Sequence, residues 1–249
     1  MPQKLGQHFL INPLKIKKIV AALDIQDNDQ IIEIGPGHGE LTSEIKKQNA
    51  KIKIVAIEKD QELAKNLASY IKNIEIVHGD VLKILPSLIS NYPARLRLNE
   101  VQAGGQLPRP TSLERSSGGR AITNYKLVGN IPYYITGRLL RILSGLKAKP
   151  EIVVLTIQKE VAERITAEPP KMNLLAASAQ IWADIEIIDQ IPKSDFKPRP
   201  EVDSAIIKLT PKSLEPITNY YRLLKILFKQ PRKTILNNLK DSSDFKTEQ

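Results

Sequence analysis

Apolar positions in this chain fall into short runs, separated by stretches with helical spacing. Gln30–Ile34 reads as a buried strand that stops at a glycine turn, Lys53–Ile57 as a second strand and Ile74–His78 as a third. Between them, Glu40–Gln48 and Asp60–Tyr70 set their apolar residues at helical intervals. Tyr125–Val128 predicts a fourth, short strand, followed by a helix near Thr136–Leu146. Glu151–Gln158, rich in Ile and Val, is a fifth, and Asp184–Ile191 and Ser204–Thr210 are the last two. Asn12-Pro13 predicts a helix start, with Asn12 as N-cap and Pro13 in the first turn. Alternating strands and helices predict an α/β fold on a mostly parallel sheet covered on both faces. Ligands of such sheets sit beyond the carboxyl ends of the strands.

Residues 94–124 break this pattern. They are rich in Gly, Pro, Ser and Arg and show no sustained periodicity, which reads as an inserted loop. No run of eighteen apolar residues predicts a membrane span, and the first residues lack the pattern of a secretion signal, so a cytoplasmic location is expected. The absence of cysteine excludes disulfides, thiolate metal sites, iron–sulfur clusters and a cysteine nucleophile. The net charge of +10 is unevenly spread. Residues 1–18 carry four lysines and no acid, 94–124 five arginines against two acids, and 212–240 seven basic groups against one acid. Basicity concentrated in segments of a near-neutral body points to a polyanion such as nucleic acid.

Glu33-Ile34-Gly35-Pro36-Gly37-His38-Gly39 follows the first strand directly. Its glycines allow a tight turn and close approach to a ligand, and the next helix begins with free N–H groups. Glu58 ends the second strand, where its carboxylate suits two ribose hydroxyls; Gly79-Asp80 ends the third, where Asp80 suits an adenine amine. Dinucleotide dehydrogenases also pair a glycine loop with a following acid, but their last glycine lies further along the turn. Glu33 either holds the loop or faces an ammonium. Three acids after three strands suit a cofactor carrying an amine, a ribose and an adenine.

Asn130-Ile131-Pro132-Tyr133 follows the fourth strand. An adenine amine is a poor nucleophile because its lone pair is delocalised into the ring. Two acceptors on its protons, the Asn130 side-chain oxygen and a backbone carbonyl near Ile131 or Pro132, would favour a localised lone pair. Pro132 stiffens the segment, and Tyr133 offers a face for the base, worth about 1–3 kcal/mol. On residue type alone, Phe9, Leu10 and Phe196 would be core residues and Trp182 a packing residue. The histidines show no metal-ligand spacing, so no metal is expected.

At these residues the chain strongly resembles the ribosomal RNA adenine dimethyltransferase family. The likeness runs nearly end to end, through Leu5–Leu10, the glycine loop, Asn130–Tyr133, Gln158–Arg164, Phe196–Ser204 and Phe228–Lys233. It implies a Rossmann-like, seven-stranded methyltransferase domain over residues 1–211 and a short basic, helical RNA-docking appendage over 212–249. It implies S-adenosylmethionine as cofactor, with contacts at His8, Leu10, Gly35, Gly37, Glu58, Asp80 and Asn130. It implies catalytic roles for Asn130, Pro132, Tyr133 and Phe196, with Phe196 stacking on the target base opposite Tyr133. The expected activity is methylation of two adjacent adenosines near the 3′ end of small-subunit (16S) ribosomal RNA, by a monomer, on the RNA or the small subunit. The Phe-x-Pro-x-Pro-x-Val-Asp-Ser stretch looks like the small-subunit branch.

Two departures stand out. Relatives reach the Asn-Ile-Pro-Tyr segment much sooner after the counterpart of Asp80, so 94–124 is extra, and deleting 96–122 is expected to leave folding and methyl transfer intact. Relatives usually carry further helices after Leu239, and Pro231 replaces the more usual arginine, so either a reduced appendage or a truncated gene is expected. The competing readings are a non-catalytic RNA-binding assembly factor on the same fold and a nicotinamide-dependent dehydrogenase. Binding of S-adenosylmethionine separates both from the methyltransferase.

Overall fold

The computed structural model describes residues 7–48, 51–91, 124–212, 218–230 and 233–240. The 94–123 part of the insert, the Leu5-Gly6 and Pro231-Arg232 parts of the motifs and the last nine residues lie outside it. The first half builds β1 (Phe9–Leu10), α1 (Pro13–Ala22), β2 (Gln30–Ile34), α2 (Glu40–Gln48), β3 (Lys53–Glu58), α3 (Gln61–Tyr70), β4 (Glu75–His78) and α4 (Val81–Asn91). The second half builds β5 (Lys126–Asn130), α5 (Thr136–Gly145), β6 (Ile152–Gln158), α6 (Lys159–Ile165), α7 (Leu174–Gln180), β7 (Ala183–Ile191), β8 (Phe196–Lys197) and β9 (Ser204–Pro211). Helices α8 (Thr218–Leu227) and α9 (Ile235–Lys240) follow the last strand. Asn12 caps α1, its Oδ1 accepting from Leu14 N at 2.9 Å, and Asp60 caps α3 in the same way.

Seven strands form one sheet in the order β4-β3-β2-β5-β6-β9-β7. β4, β3, β2, β5 and β6 run parallel, and β9 lies antiparallel between β6 and β7. β1 and β8 pair as a separate antiparallel ribbon. One face of the sheet carries Ile32, Ile34, Leu127 and Leu155 into a core with α4 and α5, and Trp182 is buried there as a packing residue. The other face carries Ile31, Val128, Val154 and Ile206 against α1, α2 and the small ribbon. Lys15 and Lys18 reach Asp189 on β7 at 2.8 and 2.7 Å, which ties α1 across the sheet and pushes the Asp189 carboxyl down to about 2. Asn238 folds α9 back on α8 by donating to the Leu227 and Gln230 carbonyls at 2.9 and 3.1 Å. No helix among the described residues is long and apolar enough to cross a membrane.

Glu33 lies on the α2 side of β2 and is fully buried. Its Oε2 accepts from Thr42 Oγ1 at 2.7 Å, while Oε1 has no partner. This carboxyl therefore holds the loop and the start of α2 rather than facing a ligand. Burial pushes it up to about 7, above its ordinary 4.5. Between those values the unfolded chain is ionised and the folded one keeps its proton, so this group lowers stability as pH rises across the window. The loss is on the order of 3 kcal/mol and is complete above about pH 7. Glu33→Gln should flatten this slope, measured as the difference in urea stability between pH 5 and pH 8. An unchanged slope in the variant would assign the pH dependence elsewhere.

Candidate active site

From β2 the chain steps outward to β3 and β4, then returns to place β5 on the other flank of β2. The strand order reverses there, and a crevice opens beyond the carboxyl ends. The loop after β2 enters it with left-handed glycines, φ +63° at Gly35 and +59° at Gly37. Gly37 is also required by contact: a Cβ there would lie 2.8 Å from the Phe9 ring, which β1 lays against the loop. Beside it, Gly129 lets β5 close on β2, since a Cβ would sit 2.7 Å from the Ile34 carbonyl oxygen. That close approach delivers Asn130 to the crevice next to Gly35, and both residues line it.

Glu58 ends β3 with both oxygens engaged. Oε2 accepts from Gly37 N at 3.1 Å and Oε1 from Asp60 N at 2.8 Å. A carboxylate has about four lone-pair sites, so each oxygen can still accept one hydroxyl. Asp80, just past β4, caps α4 through Leu82 N at 2.9 Å and holds Lys59 Nζ at 3.5 Å from its other oxygen. Two acids on neighbouring strand ends, a glycine loop with open backbone and apolar Ile57 and Val81 between them fit an adenosine-bearing cofactor.

Asn130 Nδ2 donates to the His8 carbonyl at 2.7 Å. A carbonyl only accepts, so this contact fixes which end of the amide faces His8 and leaves Oδ1 as the free acceptor. The His8 ring is itself held, with Nδ1 donating to the Pro198 carbonyl at 2.8 Å. Pro132 leads into a 3-10 turn over Tyr133–Ile135, closed by Ile135 N donating to the Pro132 carbonyl at 3.1 Å. Tyr133 shares a 2.8 Å hydrogen bond with Ser204 Oγ on β9, and burial raises its hydroxyl above the ordinary phenol range. The His8 and Tyr133 rings lie 6.0 Å apart, within 24° of parallel.

Of the residues singled out by sequence, His8, Gly35, Gly37, Glu58, Asp80, Asn130, Pro132 and Tyr133 meet in this crevice. Leu10 and Phe196 do not line it. They are 6% and 3% exposed and face each other in the β1–β8 ribbon, inside the cluster with Ile16 and Ile206. The stacking expected of Phe196 opposite Tyr133 is therefore not what this structure presents: burial in an apolar cluster outweighs exposure of the ring. Sequence reasoning missed Gln7, Phe9, Lys59 and Tyr134, which do line the crevice. It also missed Ser204 as the partner of Tyr133, although Ser204 closes the Phe196–Ser204 motif. Among the described residues no cluster of three or more His, Asp or Glu could hold a metal ion.

A family model described as ribosomal RNA adenine dimethylase matches residues 2–248. This chain belongs to that family. Ribosomal RNA small subunit methyltransferase A of Dehalococcoides mccartyi strain CBDB1 is 36% identical over 243 residues, covering 94% of this chain and 73% of that protein. The Chlorobaculum tepidum protein of the same name is 35% identical over 247 residues, covering 97% and 78%. Among solved structures, a dimethyladenosine transferase from Plasmodium falciparum superposes with a TM-score of 0.70 at 27% identity, covering 94% of this chain and 76% of that one. The 23S rRNA methyltransferase ErmE superposes at 0.68 with 23% identity, over 93% and 83%, a likeness of fold. The α/β, Rossmann-like methyltransferase architecture of the ribosomal RNA adenine dimethylases is thus the architecture of this chain.

Proposed function

We propose that this protein is the small-subunit ribosomal RNA adenine N6-dimethyltransferase of its cell, methylating two adjacent adenosines near the 3′ end of 16S RNA. The observation that carries the reading is the oriented Asn130 amide, whose free oxygen lies in one crevice with Glu58 and Asp80. The small-subunit relatives supply the substrate. On this reading it acts as a monomer in the cytoplasm.

S-adenosylmethionine, when bound, supplies an activated methyl group. Glu58 would take the ribose hydroxyls and Asp80 the adenine amine, with Gly35, Gly37 and the His8-Phe9 segment closing around them. Asn130 Oδ1 and the Ile131 carbonyl accept from the target amine and localise its lone pair. Pro132 keeps that carbonyl in place, and its own carbonyl already closes the following turn. Tyr133, anchored through Ser204, packs on the base. No strong base is required, because position and electrostatics suffice for an activated donor.

The direct test is transfer of labelled methyl to small subunits that lack the 3′-end dimethyladenosines. Incorporation at the adjacent adenosines is expected. A folded protein that binds the subunit and transfers nothing would instead be the non-catalytic assembly factor. The Tyr133 anchor has its own test. Ser204→Ala strands a half-buried phenol and should lower kcat/KM for RNA roughly tenfold. Tyr133→Phe combined with Ser204→Ala should then cost no more than the worse single change. Additive losses would show that the two side chains act separately.

A further inference from the structure

A second depression lies between α5, α7 and α8, enclosing about 760 Å³. Its floor is apolar, from Leu140, Leu174 and Leu224, while among the described residues five cations line it and no carboxylate does. Two of the five are already committed. Lys212 pairs with Asp184 at 2.8 Å, and Lys149 closes the end of α5 by donating to the Ser144 and Leu146 carbonyls at 2.9 and 3.2 Å. Arg141, Lys147 and Arg164 are exposed, and no acid among the described residues pairs with them. Arg141 lies 5.3 Å from the Tyr221 ring centre, which joins α8 to α5 and leaves the positive charge in place.

The start of α5 lies between the groove and the crevice in the chain. Ile135, just before that helix, lines the crevice, and Gly137 in its first turn lines the groove. A Cβ at Gly137 would meet nothing within 4 Å, so the first turn of α5 is unobstructed at that residue. From Gly137 to Ser144 the helix advances about 10 Å at 1.5 Å per residue. That length is a few nucleotide spacings, within reach of the nucleotides next to a base held at Tyr133. An apolar floor suits sugar and base faces, and an uncompensated basic rim suits phosphates.

We propose that the groove between α5, α7 and α8 holds the phosphodiester backbone of the RNA strand flanking the target adenosine, with Arg141, Lys147 and Arg164 on the phosphates. This rests on the RNA-methyltransferase reading above. The test uses the full chain with Lys147→Glu and Arg164→Glu combined, two side chains outside the crevice, and leaves the Arg141–Tyr221 contact intact. The probe is naked RNA carrying the target adenosines, with long or trimmed flanks.

For the long-flanked RNA the variant should show at least a tenfold higher KM. Its slope of log affinity against log salt should be shallower by about 1.4–1.8, for two lost phosphate contacts. kcat at saturating RNA and affinity for S-adenosylmethionine should not change, and the trimmed RNA should erase the difference. Lys147→Arg with Arg164→Lys should behave as wild type. A variant with wild-type KM and salt slope, beside an active wild type, overturns the groove. Unchanged binding of naked RNA with weakened binding of whole subunits also overturns it, in favour of an acidic protein occupant. Failure of the wild type to methylate any RNA is a separate result and defeats the underlying reading instead.

Discussion

Asn130→Ala should lower methyl-transfer turnover by roughly 10²–10³-fold, the loss typical when one preorganised transition-state hydrogen bond is removed. Affinity for S-adenosylmethionine should change by less than about tenfold, one neutral hydrogen bond being worth about 1 kcal/mol. The two readouts separate because Glu58 and Asp80 would hold the cofactor while Oδ1 acts on the incoming amine. Asn130→Asp sharpens the test. It keeps an acceptor toward the amine, but it loses the Nδ2 donor and sets a carboxylate oxygen where the amide now meets the His8 carbonyl at 2.7 Å. Two acceptors at that distance repel, so the aspartate should swing away and turnover should fall nearly as far as in the alanine variant. An aspartate variant with wild-type turnover, measured by single-turnover transfer to RNA, would show that His8 does not orient this side chain.

The sheet was legible wherever period and turn residues agreed. Gln30–Ile34 and Glu40–Gln48 emerge with the bounds predicted from their spacing, since an apolar run, a glycine turn and an amphipathic stretch all mark the same edges. The apolar pattern ends β5 at Val128, two residues short, because Gly129-Asn130 reads as a turn. It is strand because the glycine permits contact with the Ile34 carbonyl, a fact about β2 and not about local sequence. β1 and β8 have two residues each, too few for any periodicity, and α4 was hidden by Pro86 within it. The acids at strand ends were legible because each ends a run of its own. The contacts that orient the site were not. His8 meets Pro198 across 190 positions and Tyr133 meets Ser204 across 71, and neither pairing leaves a local trace. Motif membership assigns Leu10 and Phe196 to the site, whereas their residue type alone points to the core that holds them.

Glu58 carries the other large effect, and here an isosteric change should be nearly as damaging as deletion. Its two oxygens fix the glycine loop through Gly37 N and the start of the next helix through Asp60 N. Hydrogen bonds to an ionised group are worth about 1.5–3 kcal/mol each, so losing those to two ribose hydroxyls should weaken S-adenosylmethionine binding on the order of 10²-fold or more in Glu58→Ala. Glu58→Gln keeps the shape but offers one oxygen where two backbone N–H groups require acceptors. Whichever way the amide turns, its NH₂ faces Gly37 N or Asp60 N, and the loop or the helix start must shift. Glu33→Gln differs in kind, because only one Glu33 oxygen has a partner and the other is buried without one. Titration calorimetry of the three variants should therefore place both Glu58 changes far below wild type and Glu33→Gln close to it. A Glu58→Gln affinity within about threefold of wild type would mean that this carboxylate neither fixes the loop nor meets the ribose.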